Sequence, residues 1–340
     1  MRRIVVIGGL GFFGDLAIQR LRADGCQPLS AARRAGAELR LDAEDPASLR
    51  DALRPGDVLL DTVGPFQDRS LALLDAALEI GCDLVDISDS RGYVEKVYSR
   101  EAAITASGRR VLTACSSISA ISAAMTRRSG LPNPVRMTGF LTPAVRYAAN
   151  PGSGGSLLRS VGLPVGVLRD GRPATRLGWR DTRPFTMPPP IGTIYGHLYE
   201  TADPLTLPRV WPSLRDVSFY VDTRVPGLNA AFSLAARSRL VWQLFKTFLR
   251  PGLAVARAIG PDIGCLAFEI EGADGRQARL ALVGGERGHF TPIAPAVLAV
   301  RALAEDRFEP PGLVPADEYV DGEELVAYLR ALGVETVRLE

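Results

Sequence analysis

The sequence predicts an α/β fold built on a parallel sheet, and three observations support that prediction. Short aliphatic runs alternate with helical segments over residues 1–130, as in parallel sheets with helices on both faces. The first run leads directly into closely spaced glycines and then into a helical segment. The chain has 340 residues, which suits two domains. We therefore predict a Rossmann-type doubly wound parallel sheet, a second α+β domain, and a C-terminal segment returning to the first domain.

The elements of the first domain, residues 1–130, have recognisable starts and ends. The predicted strands are 4–7, 27–31, 38–41, 58–63, 84–87 and 111–114. The predicted helices are 15–23, 46–53, 70–80, 92–107 and 118–128. Asp45 precedes the second helix in the N-cap position, and Gly25, Gly81 and Gly108 follow three of the others, where glycine commonly ends a helix.

Residues 131–290 are predicted to form the second, α+β domain, which holds the substrate or a dimer interface. The segments 135–141 and 217–221 resemble strands, and 264–270 and 279–283 flank Asp274-Gly275, a strong hairpin signal. Residues 291–340 are predicted to return to the first domain, with helices at 295–305 and 322–332. We expect the final strand-like segment, 335–339, to pack on the first domain as well.

The composition is that of an ordinary globular protein, with 46% hydrophobic residues and a formal net charge of +2. This balance does not indicate nucleic-acid binding. The four cysteines are widely spaced, and only two histidines occur, so we expect no disulfide framework and no metal site. Glycines interrupt the first apolar run after four residues, which argues against a signal peptide. We expect a cytoplasmic protein.

The glycine cluster after the first strand has the spacing of a dinucleotide-binding turn. Gly9, Gly11 and Gly14 fit G-x-G-x-x-G, and Gly8, Gly11 and Gly14 fit a wider G-x-x-G-x-x-G spacing. One glycine makes the turn, one lets backbone N–H groups approach a pyrophosphate, and one lets the helix pack on the strand. The helix that follows, with Phe12 and Phe13 in its first turn, directs its positive end at the phosphates. The alternative is a purely structural glycine turn.

Several further motifs together resemble the saccharopine dehydrogenase-like reductases. They are the glycine turn, Gly64-Pro65-Phe66 after the fourth strand, a helix ending at Gly81, a strand running into Asp86, and the late Gly312-Leu313-Val314-Pro315. The resemblance covers most of the chain and implies an NAD(P)-dependent enzyme acting on C–N bonds between amines and carbonyl compounds. The Gly154-Gly155-Ser156 stretch resembles the family's glycine-threonine-rich helix start at the substrate pocket, and Ser153 lies beside it. Tyr147 is a further substrate-binding candidate, because it carries a proton-donating side chain. The chain departs from the family at residues 114–118, where Ala-Cys-Ser-Ser-Ile replaces a glycine-phenylalanine-aspartate stretch.

The residues after the second strand favour NADP over NAD. An acid at this position would bind the adenosine ribose of NAD, whereas a basic residue would bind the 2′-phosphate of NADP. Here Arg33 and Arg34 follow the strand, and the next acid is Glu38. Arginine can bind a phosphate with two parallel hydrogen bonds or stack on the adenine. The alternative is a solvated turn in an arginine-rich chain. Asp42 either accepts a hydrogen bond from the adenine amine or caps the following segment.

The loop after the fourth strand is a second candidate cofactor contact. Loops at the carboxyl ends of the strands line the ligand crevice in a doubly wound sheet. Val63 and Gly64 would allow close approach of the cofactor, Pro65 would stiffen the turn, and Phe66 would offer an apolar wall. The alternative for Phe66 is an ordinary core position.

The candidate catalytic residues come from strand ends in both domains. In the first domain they are Asp86 and Cys115, with Ser88 and Asp89 nearby, although a strand-end aspartate can simply anchor a loop and a free cysteine is commonly a small core residue. In the second domain Tyr195, His197 and Tyr199 occupy every second position, so on a strand they would share one face. His197 either serves as an acid or is satisfied by a structural hydrogen bond.

Residues 232–257 combine basic and apolar side chains without a single acid. Such a pattern is typical of a basic amphipathic helix that lies on an anionic membrane or binds an apolar partner. The alternative is a helix that covers the sheet or forms a dimer interface, and we expect a homodimer.

Three functions remain open. The first is an NADP-dependent oxidoreductase of saccharopine dehydrogenase type that transfers hydride to or from a C=N or C=O group of a small substrate. The second is a nucleotide-binding scaffold without turnover that docks through residues 232–257. The third is a reductase of a lipid-like enoyl or keto substrate.

Overall fold

A computed structural model describes residues 1–308 and 311–339, which form two compact units. Unit 1 comprises 1–121 and 292–321, and unit 2 comprises 122–291 and 322–340. The elements up to residue 128 are β1 Ile4–Ile7, α1 Phe12–Ala23, β2 Leu29–Ala32, β3 Leu39–Arg40, α2 Pro46–Ala52, β4 Val58–Asp61, α3 Ala72–Ile80, β5 Asp83–Asp86, α4 Arg91–Tyr98, α5 Glu101–Ser107, β6 Arg110–Leu112 and α6 Ala120–Arg128.

The remaining elements alternate between strands and short helices. Those between residues 134 and 221 are β7 Pro134–Thr142, α7 Val145–Ala148, α8 Pro151–Ser160, β8 Pro164–Arg169, β9 Arg172–Leu177, β10 Thr182–Met187, β11 Gly192–Tyr199, α9 Asp203–Val210 and β12 Asp216–Val221. Those that follow are α10 Leu228–Ala235, α11 Arg239–Thr247, α12 Leu249–Ile259, β13 Gly264–Gly272, β14 Gln277–Gly284, α13 Ala294–Ala304, β15 Gly312–Leu313, α14 Gly322–Ala331 and β16 Val334–Leu339. None of the helices in the described ranges combines the length and apolarity needed to cross a membrane.

Unit 1 is built on the predicted parallel sheet. Its seven strands follow the order β15-β6-β5-β4-β1-β2-β3, and every adjacent pair is parallel. The order reverses between β1 and β4, which is the switch point where doubly wound sheets bind their ligands. All four residues of β1 are buried, as expected for a strand with helices on both faces. The predicted fold class is therefore confirmed, and the glycine turn and the Gly64-Pro65-Phe66 loop both leave strands at the switch point.

The helix ends of unit 1 follow the predicted residues with one exception. Asp45 accepts a hydrogen bond from the backbone N–H of Ala47, and Gly81 and Gly108 end α3 and α5 in the left-handed conformation. The single helix predicted over 92–107 is wrong, because α4 and α5 are separated at 99–100. There the Ser99 hydroxyl donates to the Lys96 carbonyl oxygen at 2.6 Å, a local bond that competes with helix continuation.

Unit 2 contains a mixed sheet of nine strands. The main path is β10-β11-β12-β7-β13-β14-β16, and β8 pairs with β12 and β9. β12 and β7 are parallel, and the other pairs are antiparallel. The predicted hairpin joins β13 to β14, with Gly275 at a φ of 78° in its turn. The ring of Phe140 stacks on Phe185 at 4.2 Å between centroids, at the centre of an apolar cluster on this sheet.

The C-terminal segment returns to unit 1 only in part. Residues 292–321 belong to unit 1, where α13 packs on the sheet and the Arg2 N–H donates to the Ala304 carbonyl oxygen at 2.8 Å. The prediction that 335–339 packs on the first domain is wrong. Strand β16 pairs antiparallel with β14, from Gly284 opposite Val334 to Arg279 opposite Leu339. It completes an edge of the second sheet whose backbone groups would otherwise lack partners.

Gly139 is the position in β7 where we expect a single methyl group to destabilise unit 2. An added Cβ would overlap the ring of Phe219, which is 1% exposed on neighbouring β12. Because a close-packed core resists extra volume, we expect Gly139→Ala to lower the free energy of unfolding by about 1–3 kcal/mol. Urea unfolding measures this change.

The matched control is Gly252→Ala in α12, where no atom lies within 4 Å of the added Cβ. Alanine favours helix over glycine, so we expect this variant to be unchanged or more stable by up to about 1 kcal/mol. Equal stability of Gly139→Ala and the wild type would contradict the packing of Phe219 over Gly139.

Candidate functional site

The glycine turn connects β1 to α1 and is fixed to the neighbouring strand. The backbone N–H groups of Gly8 and Gly9 donate to the Ala31 carbonyl oxygen at 2.8 and 3.2 Å. Gly11 N–H donates to the Gly8 carbonyl oxygen at 2.7 Å and closes the turn. Gly8 has a φ of 82°, which strongly favours glycine. The backbone of strand β2 therefore holds the start of the turn.

The glycines differ in what an added side chain would meet. At Gly14 a Cβ would overlap the Gly8 carbonyl oxygen, and at Gly9 it would lie 2.9 Å from the Ile18 Cδ1 atom. These two positions are glycine because the helix and strand approach closely. At Gly11 the nearest atom is the Gly8 carbonyl oxygen at 3.1 Å, and Gly11 is exposed. Protein packing therefore restricts Gly11 less than Gly9 or Gly14, and close approach of a phosphate would be a further reason for glycine at this position.

Helix α1 begins at Phe12, directly after the turn. Gly11 is its N-cap and supplies no side-chain hydrogen bond. Phe12 and Phe13 are half-buried and pack edge to face at 5.1 Å between centroids. The N-terminus of α1 therefore offers backbone N–H groups and a positive dipole to an anion, as a pyrophosphate site requires.

The end of β2 presents arginine side chains beside the glycine turn. Arg34 donates a hydrogen bond to the Leu10 carbonyl oxygen, and Arg33 is 78% exposed with its Nη1 atom 3.8 Å from Asp42 Oδ2. The nearest acid in sequence, Glu38, accepts from the Ser30 N–H and hydroxyl, both at 2.8 Å. These hydrogen bonds lower the pKa of Glu38. Both an exposed guanidinium, that of Arg33, and a partly exposed carboxylate, that of Glu38 held by Ser30, therefore lie near this strand end.

Asp42 takes the role of a local cap. Its Oδ1 atom accepts from the backbone N–H of Glu44 at 3.0 Å, while its own N–H donates to the Ser48 hydroxyl at 3.0 Å. This matches the capping alternative from the sequence, and the adenine contact stays a prediction.

A surface groove runs along the glycine turn and the loop after β2. Its volume is ≈ 650 Å³. It is lined by Leu10, Gly11, Phe12, Asp15, Leu16, Arg34, Ala35 and Gly36. The groove thus joins the N-terminus of α1 to the arginine loop, the two features that a dinucleotide phosphate would contact.

The loop after β4 lies against the glycine turn. The Thr62 N–H and hydroxyl both donate to the Ile7 carbonyl oxygen, at 2.9 and 2.8 Å. A Cβ on Gly8 would lie 3.0 Å from the Val63 Cγ2 atom. Gly64 and Pro65 are exposed and joined by a cis peptide bond, whereas Phe66 is 5% exposed and packs edge to face on Tyr93. Phe66 therefore occupies a core position, which was the alternative to an apolar wall for the cofactor. Gly64 and Pro65 stay the predicted cofactor contacts of this loop.

A charged cluster, buried at Asp61 and Arg69, lies at the end of β4, and its central member, Arg69, was not predicted from the sequence. The Nη1 atom of Arg69 lies 3.2 Å from Asp61 Oδ2 and 2.9 Å from the Val63 carbonyl oxygen, and its Nε atom bonds Glu44. Burial opposes the charge of Arg69, but the carboxylates of Asp61 and Glu44 outweigh it and raise the pKa of the guanidinium. Arg69 therefore fixes the loop that carries Gly64 and Pro65. The one sequence signal for this role was that Arg69 follows the Gly64-Pro65-Phe66 motif by three residues.

Asp86 is fully buried at the end of β5. Its Oδ1 atom accepts from the backbone N–H groups of Ser88 and Ala114, both at 2.9 Å, while its Oδ2 atom has no partner among the described residues. Burial raises the pKa of Asp86 to about 6. The carboxyl group thus anchors the loops after β5 and β6, which is the structural alternative from the sequence, and it holds a proton at mildly acidic pH.

Cys115 follows β6 and is also fully buried. Its N–H donates to the Asp86 carbonyl oxygen at 2.7 Å. Burial raises the pKa of the thiol well above its ordinary value, with a further contribution from Asp86. Because the thiolate is the reactive form, this environment disfavours nucleophilic chemistry at Cys115.

The candidates of unit 2 on β11 differ in exposure, and a shared pocket wall stays a prediction. Tyr195 is 62% exposed, whereas His197 is buried and its ring stacks on Trp179 at 4.7 Å between centroids. His197 Nδ1 lies 3.2 Å from the Thr182 hydroxyl oxygen. Burial lowers the pKa of His197, so the ring is neutral near pH 7. Tyr195 is therefore the more accessible proton donor of the two.

The candidate substrate residues of unit 2 lie on α7 and α8. Tyr147 is half-buried on α7. Helix α8 begins at Pro151, with Asn150 as a cap that accepts from the Ser153 N–H at 3.0 Å. Gly154 and Gly155 therefore lie in the first two turns of the helix, which begins in a glycine-rich stretch as the resemblance implies. Their contact with a substrate stays a prediction.

No protein-family model matches the chain, and no curated protein matches it. Among solved structures, it is similar to apo saccharopine dehydrogenase (L-Glu forming) from Saccharomyces cerevisiae, with 16% identity, a TM-score of 0.61, and coverage of 100% of both chains. The chain has the fold of saccharopine dehydrogenase. The fold implied by the sequence resemblance is thereby confirmed.

Two other solved structures match with lower TM-scores. One is biliverdin reductase from Synechocystis sp. PCC 6803 in complex with biliverdin and NADP+, with 11% identity, coverage of 97% of this chain and 98% of that chain, and a TM-score of 0.40. The other is an oxidoreductase from Thermotoga maritima, with 12% identity, coverage of 99% of this chain and 98% of that chain, and a TM-score of 0.39.

Proposed function

We propose that the protein is an NADP-dependent oxidoreductase of saccharopine dehydrogenase type. It transfers hydride to or from a C=N or C=O group of a small substrate. The observation that carries the proposal is the glycine turn at the switch point of the sheet, with Arg33 and Arg34 beside it and Glu38 bound to Ser30. The likeness of the fold to that of saccharopine dehydrogenase supports the proposal of an oxidoreductase.

The residues of unit 1 fit a dinucleotide in three places. The N-terminus of α1, with Gly11 open to solvent, would bind the pyrophosphate through backbone N–H groups. Arg33, assisted by Arg34, would bind the 2′-phosphate with paired hydrogen bonds. Gly64 and Pro65, held in place by Arg69, would contact the nicotinamide half of the cofactor. NADPH, when bound, supplies the hydride for reduction.

Proton transfer to the substrate requires a group that reaches solvent or substrate. Among the four predicted catalytic residues, Tyr195 has the most exposed side chain, whereas Asp86 and Cys115 are fully buried and His197 packs on Trp179. We therefore assign Tyr195 as the first candidate acid and His197 as the second. Asp86 is assigned as a positioning residue for the loops after β5 and β6.

Replacing Arg33 with aspartate tests the cofactor proposal. A charge-assisted hydrogen bond contributes about 1.5–3 kcal/mol, so the loss of this contact corresponds to about a 10- to 150-fold weaker NADPH affinity. The new carboxylate would in turn accept from the ribose hydroxyls of NADH. We expect the ratio of NADPH to NADH affinity to fall by at least about tenfold, measured by titrating the fluorescence of each reduced nucleotide.

The matched control is Arg172→Asp, because Arg172 is also exposed but lies on β9 of unit 2. This control makes the same charge change and should leave both affinities unaltered. An unchanged NADPH to NADH ratio in Arg33→Asp would contradict the NADP assignment. Absence of any NADPH binding by the wild type would contradict the proposed function itself.

The burial of Asp86 and Cys115 favours a second candidate function, a nucleotide-binding protein without turnover. Both candidates predict NADPH binding, so only turnover separates them. The test is a screen of candidate substrates in which NADPH oxidation is followed by absorbance. The substrates are oxo acids together with amines, and enoyl and keto thioesters. Oxidation of NADPH that depends on one of these substrates excludes the second candidate.

A further inference from the structure

Helices α10, α11 and α12 of unit 2 carry an exposed apolar surface. Its members, which we call the apolar face, are Leu234, Leu240, Leu244, Phe248, Val255 and Ile259, each more than half exposed. Leu240, Leu244 and Phe248 are spaced four residues apart, as are Val255 and Ile259, so each set follows one side of its helix. Large exposed apolar patches commonly mark interaction surfaces.

The opposite side of α11 is already occupied by the core of unit 2. Val241, Trp242 and Phe245 pack on the cluster that contains Trp179 and Phe232. The indole N–H of Trp242 donates to the Leu158 carbonyl oxygen at 3.2 Å. The helix therefore needs no second apolar side to stay folded, and the apolar face is not explained by packing within the unit.

The stretch of the chain that carries the apolar face is also basic, and no acid within it balances the charge. The chain contains no aspartate or glutamate between Asp222 and Asp262. Five of the six cations of this stretch are exposed, and in the described part of the chain none of these five forms an ion pair; they are Arg237, Arg239, Lys246, Arg250 and Arg257. An anionic surface would complement this charge, whereas a polar protein surface of mixed charge would not.

A second copy of the chain fits this face poorly. A two-fold symmetric interface places the same patch on both partners, so it would gather ten cations at one interface without any acid from this stretch. Like charges brought together at an interface cost affinity. The charge therefore argues against self-association through the apolar face and favours a partner that carries excess negative charge.

We infer that α10–α12 dock the protein on the surface of an anionic lipid bilayer. The apolar face enters the boundary between headgroups and acyl chains, and the surrounding arginines and lysine bind the anionic headgroups. This inference goes beyond the proposed function, because it involves neither nucleotide nor substrate.

Co-sedimentation of the whole protein with vesicles tests the inference. The probes are phosphatidylcholine vesicles with either no phosphatidylglycerol or about 40% phosphatidylglycerol. Because several cations act together, we expect at least about tenfold tighter binding to the anionic vesicles, weakening as salt is raised. NADPH titration of the same preparations reports on the nucleotide site independently.

Two sets of variants separate the apolar and basic contributions. Leu240→Ser/Leu244→Ser/Phe248→Ser removes the apolar side of α11 and should weaken vesicle binding at least about tenfold. Its control is Leu163→Ser/Leu177→Ser, at two exposed leucines outside these helices. Arg239→Glu/Arg250→Glu reverses two charges, and its control is Arg172→Glu/Arg176→Glu on exposed β9. Both controls should bind vesicles as the wild type does.

The charge-reversal pair keeps the test valid if the triple serine variant fails to fold, because Arg239 and Arg250 are exposed and form no ion pair in the described residues. Lack of binding to either vesicle would overturn the inference. Binding that Arg239→Glu/Arg250→Glu leaves unchanged would overturn it as well. A stable dimer that the leucine and phenylalanine substitutions dissociate, without lipid binding, would assign the apolar face to a second copy instead.

Discussion

Gly14→Ala is expected to weaken NADPH binding and destabilise unit 1 at the same time. The added Cβ would overlap the Gly8 carbonyl oxygen and lie 2.8 Å from Gly9 Cα. Helix α1 must therefore move away from the turn, because these neighbours are backbone atoms that cannot rotate aside. We expect a loss of about 1–3 kcal/mol in the free energy of unfolding. The displaced N–H donors would weaken NADPH binding by about 30-fold or more.

Gly11→Ala provides the contrast that separates the fold from the site. Gly11 has a φ of −87°, which alanine adopts without strain, and its Cβ would meet only the Gly8 carbonyl oxygen at 3.1 Å. We expect a smaller loss of stability than in Gly14→Ala, because the Gly8 carbonyl oxygen must give by only a few tenths of an ångström. We also expect weaker NADPH binding, because the methyl group would occupy the approach of the pyrophosphate. Urea unfolding and fluorescence titration measure the two effects, with Gly252→Ala as the control for both.

Two results would contradict this account of the turn. If Gly11→Ala binds NADPH as the wild type does, the N-terminus of α1 is not the pyrophosphate site, and the glycine turn is the structural connector considered in the sequence analysis. If Gly14→Ala is fully stable, the close approach of α1 to Gly8 is not required by the fold.

The sequence predicted unit 1 well because its signals are local. The strand at 4–7 is a buried β-branched run that ends at a glycine, and α2 has both an Asp45 cap and a proline in its first turn. Unit 2 carries weaker signals. Strand β9 is exposed along nearly its whole length and includes Pro173, so it lacks the alternation that identifies a half-buried strand.

Contacts between residues far apart in the chain could not be predicted from the sequence. The segment 335–339 was correctly predicted to be a strand, but nothing in its residues specifies that it pairs with β14. The same limit applies to the site. The glycine turn could be predicted because its constraint is local, whereas the contact of Arg69 with Asp61 depends on the fold around both residues. The start of α8 at Asn150-Pro151 is a local signal of the same kind, because asparagine caps the helix and proline occupies its first position.

Asp86→Asn is expected to change the pH dependence of stability. In the folded protein, burial raises the pKa of Asp86 from 3.8 to about 6. Between these two values the folded state holds a proton that the unfolded state has released. The free energy of unfolding of the wild type therefore falls as the pH rises through this window, and the penalty is complete above pH about 6. One pKa unit corresponds to about 1.4 kcal/mol, so the penalty is about 3 kcal/mol.

Asparagine keeps an oxygen for the N–H groups of Ser88 and Ala114 but carries no charge at any pH. The stability of Asp86→Asn relative to the wild type should therefore rise by about 3 kcal/mol between pH about 4 and about 7. Urea unfolding at several pH values within this range measures the difference. The neighbouring Asp61 stays paired with Arg69 in both proteins, so its contribution largely cancels.

Asp274→Asn is the matched control, because Asp274 lies in an exposed turn where its hydrogen bonds to Arg276 lower its pKa. A lowered pKa contributes stability that is present above the unfolded-state value and is lost only as the pH falls through the folded-state value. Its difference from the wild type should therefore be flat between pH about 5 and about 7. If the Asp86→Asn difference is equally flat, Asp86 is ionised in the folded state throughout. A buried partner for its second oxygen would then be required, because an unpaired carboxylate at that depth is too costly to persist.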